Sequence, residues 1–181
     1  MKPVQLAREW FASHGWAPFD FQYEAWRAYG DGESGLIHAP TGYGKTYAAW
    51  FGALLHWMTH NPDAAAWDVS RPEPPRVLWI TPLRALANDT VESLRAPVAD
   101  LGLPWTVELR TGDASARVKN LVRTKPPTAL VTTPESLSLL LSYPETRQKL
   151  STLECVVVDE WHELIGTKRG VQTELGLARL R

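Results

Sequence analysis

Ala39-Pro40-Thr41-Gly42-Tyr43-Gly44-Lys45-Thr46 is the stretch of this sequence best equipped for chemistry, and the chemistry is phosphate binding. Two glycines let a backbone turn tightly enough for successive N–H groups to point into one concavity. A helix starting at the lysine would add the partial positive charge of its N-terminus. Lys45 would then reach the β- and γ-phosphates of a nucleotide, and the Thr46 hydroxyl would sit on a Mg²⁺ ion. The usual pattern G-x-x-x-x-G-K-[ST] has glycine where this chain has Ala39. A turn that merely contains two glycines and a lysine is the plainer reading, so the context must decide.

A second candidate lies far downstream. Asp159-Glu160 closes the apolar run Cys155-Val156-Val157-Val158. An acid at a strand tip can face a Mg²⁺ ion held by Thr46, and the neighbouring carboxylate can polarise a water in line with a γ-phosphate. Two solvated acids at a strand end would look the same in isolation; beside a phosphate loop they do not. His162 and Glu163 raise the idea of a zinc hydrolase, but the H-E-x-x-H spacing fails because Gly166 stands three residues after Glu163. Gln22 precedes the loop, and its amide can both donate to and accept from the edge of an adenine ring; a surface glutamine is the alternative.

The elements that must position these residues alternate. Residues 3–14 carry Val4, Leu6, Ala7, Trp10 and Phe11 at helical spacing, and Asp20 is placed to cap a second helix running to about residue 29. Residues 36–39 read as a first core strand, with the loop and a helix to about residue 59 after it. Residues 61–76 contain four prolines and read as a surface excursion. Further strands are expected at 77–80, 105–109, 129–132 and 155–159, with helices opening near Pro82 and at Thr133-Pro134. Five strands alternating with helices predict an α/β fold with a mainly parallel sheet, whose ligand site lies at the carboxyl ends of the strands.

Composition limits the alternatives. A hydrophobic content of 44% and a net charge of −1 are ordinary for a globular protein, and they leave nucleic-acid binding to a local patch rather than to bulk charge. The single cysteine, Cys155, excludes an internal disulfide and reads as a buried thiol. No signal-type or membrane-length apolar stretch is present, so a cytoplasmic protein without a membrane partner is expected. Between residues 110 and 125 five basic residues face one acid, which fits either a solvated helix face or a nucleic-acid contact. Trp50, Trp57 and Trp79 lie in apolar patterns and read as core.

Taken together, Asp159-Glu160-Trp161-His162 resembles a DExH box, and residues 39–46 resemble motif I of superfamily 2 helicases, where alanine is usual at the first position. Gln22 is similar to the Q motif, residues 81–89 to motif Ia and Thr133-Pro134-Glu135 to motif Ib. The string from Asp159 to Gly170 resembles the large helicase-related (Lhr) family, and within it the bacterial subgroup associated with a DNA ligase and a nuclease in repair.

The resemblance implies a RecA-like, three-layer αβα P-loop domain that moves along single-stranded DNA, 3′-to-5′, using ATP and Mg²⁺. Residues 1–30 would be N-terminal helices with the Q motif, and 31–181 a first RecA-like domain stopping before motif III. It assigns Pro40, Thr41, Gly42, Tyr43, Gly44, Lys45 and Thr46 to ATP, with Gln22 on adenine. Thr46 and Asp159 would hold the metal, with Glu160 as catalytic base and His162 as the link to the nucleic-acid site. Thr81, Arg84, Arg110, Thr133 and Pro134 are expected along the nucleic-acid backbone. A second RecA-like domain of the same protein would supply arginines to the transferring phosphate. An RNA helicase motor and a non-catalytic nucleotide-binding module are the competing readings.

Overall fold

A computed structural model describes residues 2–82 and 84–180 of the chain. Two compact units make it up, residues 1–69 with 96–103, and residues 70–95 with 104–181.

The first unit is helical. It contains α1 (Pro3–Ser13), α2 (Asp20–Gly30) and α3 (Lys45–His60), a single 3-10 turn at Ala64–Ala66, and the last residues of α4 (Arg84–Asp100). The apolar positions of α1 to α3 converge on one aromatic cluster: Phe51 has Trp10, Phe11 and Trp26 at ring-centroid distances of 5.2, 5.3 and 5.6 Å. Rings that meet edge-on or tilted in this way gain about 0.5–1.5 kcal/mol per pair beyond their burial. Gly52 has no side chain for a reason of space, since a Cβ there would meet the Tyr29 ring at 3.0 Å. Trp10 Nε1 donates to Asp100 Oδ2 at 2.8 Å, giving the buried indole its polar partner.

The second unit is the sheet. Strands β1 (Val77–Ile80), β2 (Val107–Arg110), β3 (Ala129–Thr132) and β4 (Cys155–Val158) pair in the order β2-β3-β1-β4, every neighbour parallel. Parallel neighbours need crossovers, and α4, α5 (Ala116–Thr124), α6 (Pro134–Leu141) and α7 (Thr146–Lys149) lie between them in the chain, with α8 (Lys168–Leu180) after β4. Leu78, Ile80 and Leu130 of the sheet pack with Val122, Leu137, Leu140, Leu141 and Leu150 in one core. Gly176 lets α8 close on α6, where an added Cβ would stand 3.2 Å from Leu137 Cδ2.

Three expectations need correction. Residues 36–39 are not a strand, and Leu36 is 81% exposed. Four residues interrupted by His38 gain nothing from extension without a sheet neighbour, and among the described residues the sheet has four strands, not five. Cys155 is half-buried instead of buried, because among the described residues β4 has β1 alone as its sheet neighbour. The second helix starts after Phe19, so Asp20 is its first residue and not its cap. Trp50, Trp57 and Trp79 are core, as expected.

Leu140→Ala, at a 2% exposed site, is expected to cost about 2–5 kcal/mol in urea unfolding followed by circular dichroism. Leu36→Ala is expected to stay within about 0.5 kcal/mol. A comparable loss for both would mean that residues 36–39 belong to the core after all.

Candidate functional site

The phosphate loop belongs wholly to the first unit. Gly42 and Gly44 sit at φ 86° and 79°, the left-handed region that glycine enters without steric cost, and this turns the chain into α3. Gly44 is the residue immediately before α3, whose N-terminus carries no side-chain cap. The loop is closed by Tyr43 N donating to Pro40 O at 3.3 Å. Lys45 folds back over it: its Nζ donates to Ala39 O at 2.8 Å and to Pro40 O at 3.2 Å. An ammonium parked on two loop carbonyls is held within the concavity it is expected to serve, and it exchanges those neutral acceptors for charged ones when an anion arrives.

Gln22 holds this loop in place. It is 1% exposed; its Oε1 accepts from Phe19 N at 2.9 Å and its Nε2 donates to Gly44 O at 2.9 Å. A Cβ on Gly44 would lie 2.8 Å from that Nε2, so the loop glycine is required twice over. In this arrangement both ends of the amide are engaged within the chain. The start of α2 and the loop carbonyl are themselves groups in need of partners.

In the second unit the strand ends carry the remaining residues. Asp159 follows β4; its Oδ1 accepts from Glu160 N at 3.0 Å, and Trp79 Nε1 lies 3.4 Å from its Oδ2. Glu160 adopts φ 45°, the one left-handed non-glycine residue among those described. A side chain in that region costs on the order of 1–2 kcal/mol, a strain kept where the surroundings fix the residue. Its carboxylate lies 3.4 Å from His162 Nδ1, while His162 Nε2 lies 3.4 Å from Glu163. His162 is therefore an exposed imidazole between two carboxylates, not a ring packed away. Gly170 fixes the segment from behind, since a Cβ there would stand 2.2 Å from Leu164 O.

The expected nucleic-acid residues divide. Arg84 is exposed, at the start of α4 and close to Gly112. Thr81, Arg110 and Thr133 are 1%, 2% and 0% exposed, and Pro134 is buried as well. Arg110 donates from Nη1 to Ser136 O at 2.5 Å and to Ser136 Oγ at 2.6 Å, and burial lowers its pKa. Its charge supports the first turn of α6. Thr133 caps α6, its Oγ1 accepting from Ser136 N at 3.4 Å. What these side chains leave available is backbone. Leu83, within the expected motif Ia, lies outside the described residues.

An ion pair that no local pattern signals ties this region together. Arg169 of α8 donates from Nε and Nη2 to the two oxygens of Glu135, at 2.5 and 3.3 Å. Partial burial would raise the Glu135 pKa, but the bonds from Arg169, from its own backbone and from Thr133 prevail and hold it below the ordinary carboxylate value.

Comparison with known proteins decides the family. The DEAD/DEAH box helicase family matches residues 19–181. The chain belongs to it. It is 38% identical to the Lhr helicase/probable uracil glycosylase of Mycolicibacterium smegmatis over 97% of its own length, which is 12% of that relative. It is 33% identical to the Lhr helicase/uracil glycosylase of Escherichia coli over 96% of this chain, again 12% of the relative. A solved structure of Mycobacterium smegmatis helicase Lhr bound to ssDNA and AMP-PNP superposes with a TM-score of 0.80 at 36% identity, covering 99% of this chain and 23% of that one. The DEAD-box helicase Mss116 shares the fold, with a TM-score of 0.72 at 19% identity. This helicase-family chain thus spans a small part of the proteins it matches, and among its described residues no helix is long and apolar enough to cross a membrane.

Glu160→Gly should release the left-handed strain and raise stability by up to about 1 kcal/mol in urea unfolding; a loss would show that the carboxylate's contacts outweigh the torsion. Glu135 gives a pH signature. Its folded pKa is depressed, so its contribution is complete above the unfolded pKa and fades as pH falls through the folded one. Arg169→Ala is expected to flatten that part of the acid limb in pH-dependent unfolding.

Proposed function

We propose that this chain is the first motor domain of an ATP-dependent helicase or translocase of the Lhr type, acting 3′-to-5′ on a single DNA strand. The observation that carries the reading is the loop: two left-handed glycines, an uncapped α3 N-terminus and a lysine held over the concavity. On binding, the Lys45 Nζ leaves Ala39 O and Pro40 O for the β- and γ-phosphate oxygens, and the N–H groups of α3 take the rest of the charge. Pro40, Thr41, Gly42, Tyr43 and Gly44 shape the cradle.

Thr46 and Asp159 are the residues assigned to Mg²⁺, and their donor types suit it. Both offer oxygen, and a magnesium site needs one or two protein ligands, with phosphate and water supplying the others. Among the described residues each Asp159 oxygen accepts at most one hydrogen bond, so lone pairs remain. When bound, the ion neutralises charge developing on the transferring phosphoryl group. Glu160 would orient the attacking water and take its proton, and His162 would pass the state of that carboxylate toward the nucleic-acid side.

The nucleic-acid backbone would meet Arg84 and the N–H groups at the start of α6, with Thr81, Arg110, Thr133 and Pro134 setting that helix and its approach. A second RecA-like domain in the same protein would complete the ATP site, and a DNA ligase and a nuclease are the partners expected in a cytoplasmic repair pathway. The relative solved with ssDNA and AMP-PNP supports DNA as the substrate class.

Lys45→Ala is expected to weaken ATP binding by at least about tenfold, roughly 1.4 kcal/mol, in calorimetric titration with Mg²⁺. Glu160→Gln should bind ATP within about threefold of the native chain, the threshold being well under that 1.4 kcal/mol step. Unchanged affinity in Lys45→Ala would overturn the phosphate-loop assignment. Stronger stimulation of the ATPase by RNA than by DNA would move the substrate.

A further inference from the structure

The first turn of α6, the expected contact for a nucleic-acid backbone, carries charges that can be counted. The helix contributes the partial positive charge of its N-terminus. Arg110, 2% exposed, lies against the same turn, donating to Ser136 O and Oγ, and its Nε has no partner among the described residues. Against these stands one acid, Glu135, in the first turn itself. A carboxylate there is drawn to the N–H groups that a phosphate would use, and it already accepts from its own backbone and from Thr133. Left alone, it would both occupy the helix start and repel the strand.

Arg169 alters that balance. Its Nε and Nη2 reach both carboxylate oxygens of Glu135, at 2.5 and 3.3 Å. The two side chains are 35% and 39% exposed, and an ion pair that open adds little to stability. A two-pronged guanidinium grip does more for direction and charge: it draws the carboxylate toward α8 and cancels it. The grip is held from behind. Arg169 O accepts from Thr173 Oγ1 at 2.9 Å, and the next residue, Gly170, donates from its N to Thr167 Oγ1 at 3.1 Å.

We propose that Arg169 is a positioning residue for nucleic-acid binding: it neutralises Glu135, so that the start of α6 stays net positive and open to a phosphate of the strand. The inference rests on the nucleic-acid reading above and goes beyond it by naming the residue that sets the charge of that contact. Arg169 acts through Glu135 and need not touch the strand.

The test is an NMR titration of the isotope-labelled chain with an oligothymidylate at low salt, following the amide resonances of Glu135, Ser136 and Leu137. Arg169→Ala should weaken binding about 5- to 20-fold, the range for one uncompensated charge near a phosphate at a protein surface. Adding Glu135→Gln to that variant should restore affinity to within about twofold of the native chain, since the two losses are coupled and not additive. Glu135→Gln alone should bind at least as tightly as the native chain. Arg169→Lys, which keeps the charge but not the fork, should lose less than about threefold. Where Arg169→Ala does not fold, Arg169→Gln with and without Glu135→Gln makes the same comparison. A double variant as weak as Arg169→Ala would mean that Arg169 itself touches the strand. Glu135→Gln as weak as Arg169→Ala would mean that the pair only ties α6 to α8. Either result overturns the proposal, as does no loss in Arg169→Ala. Native chain whose α6 resonances ignore the oligothymidylate would instead bring down the nucleic-acid reading and the proposal with it.

Discussion

The parallel pairing of β1 with both β3 and β4 is the constraint on which the second unit rests. Once three consecutive pairs run the same way, each strand must be reached by a crossover, and every strand ends on the same side. Thr81, Thr111, Thr133 and Asp159 are the residues that follow the four strands. Their gathering is a result of chain direction and owes nothing to any affinity between them. Trp79 Nε1 near Asp159 Oδ2 and Thr132 Oγ1 donating to Arg110 O at 2.7 Å are the small adjustments made within that common edge.

At that edge burial and chemistry compete. A guanidinium at 2% exposure, bonded to a serine carbonyl and hydroxyl without a carboxylate, is a costly way to hold a helix start. It makes sense where the helix N-terminus has to present its N–H groups in a fixed direction, since a rigid, always-protonated fork does not swing away as a lysine would. The loop in the first unit uses the same device in neutral form, with Gln22 spanning Phe19 and Gly44. In both places one buried polar side chain replaces a network of weaker contacts.

Sequence periodicity was enough to find β1, β3, β4 and the first three helices to within a residue or two, because each is a run whose spacing matches its burial. The chemistry of residues 39–46 was legible for a different reason: glycines before a lysine and a helix have few other uses. Residues 36–39 were misread because an apolar run says what a strand would need, not whether a neighbour exists. The hydrogen-bond partners of Gln22 and Arg110 within the chain were also beyond the sequence. A glutamine amide and a guanidinium announce hydrogen bonds but not their partners, and Gly44 and Ser136 stand 22 and 26 residues away. Glu135 and Arg169, 34 residues apart, left no periodic trace either.

Among the described residues β4 has a single sheet neighbour, and its four residues are all partly exposed although all are apolar. A short, uncharged margin of this kind accepts one further strand readily, since the added ladder would satisfy backbone groups and cover valine side chains in one step. The sheet is therefore extensible at the very strand that leads into Asp159 and Glu160, and whatever docks along that margin would stiffen the acidic turn from its own strand inward.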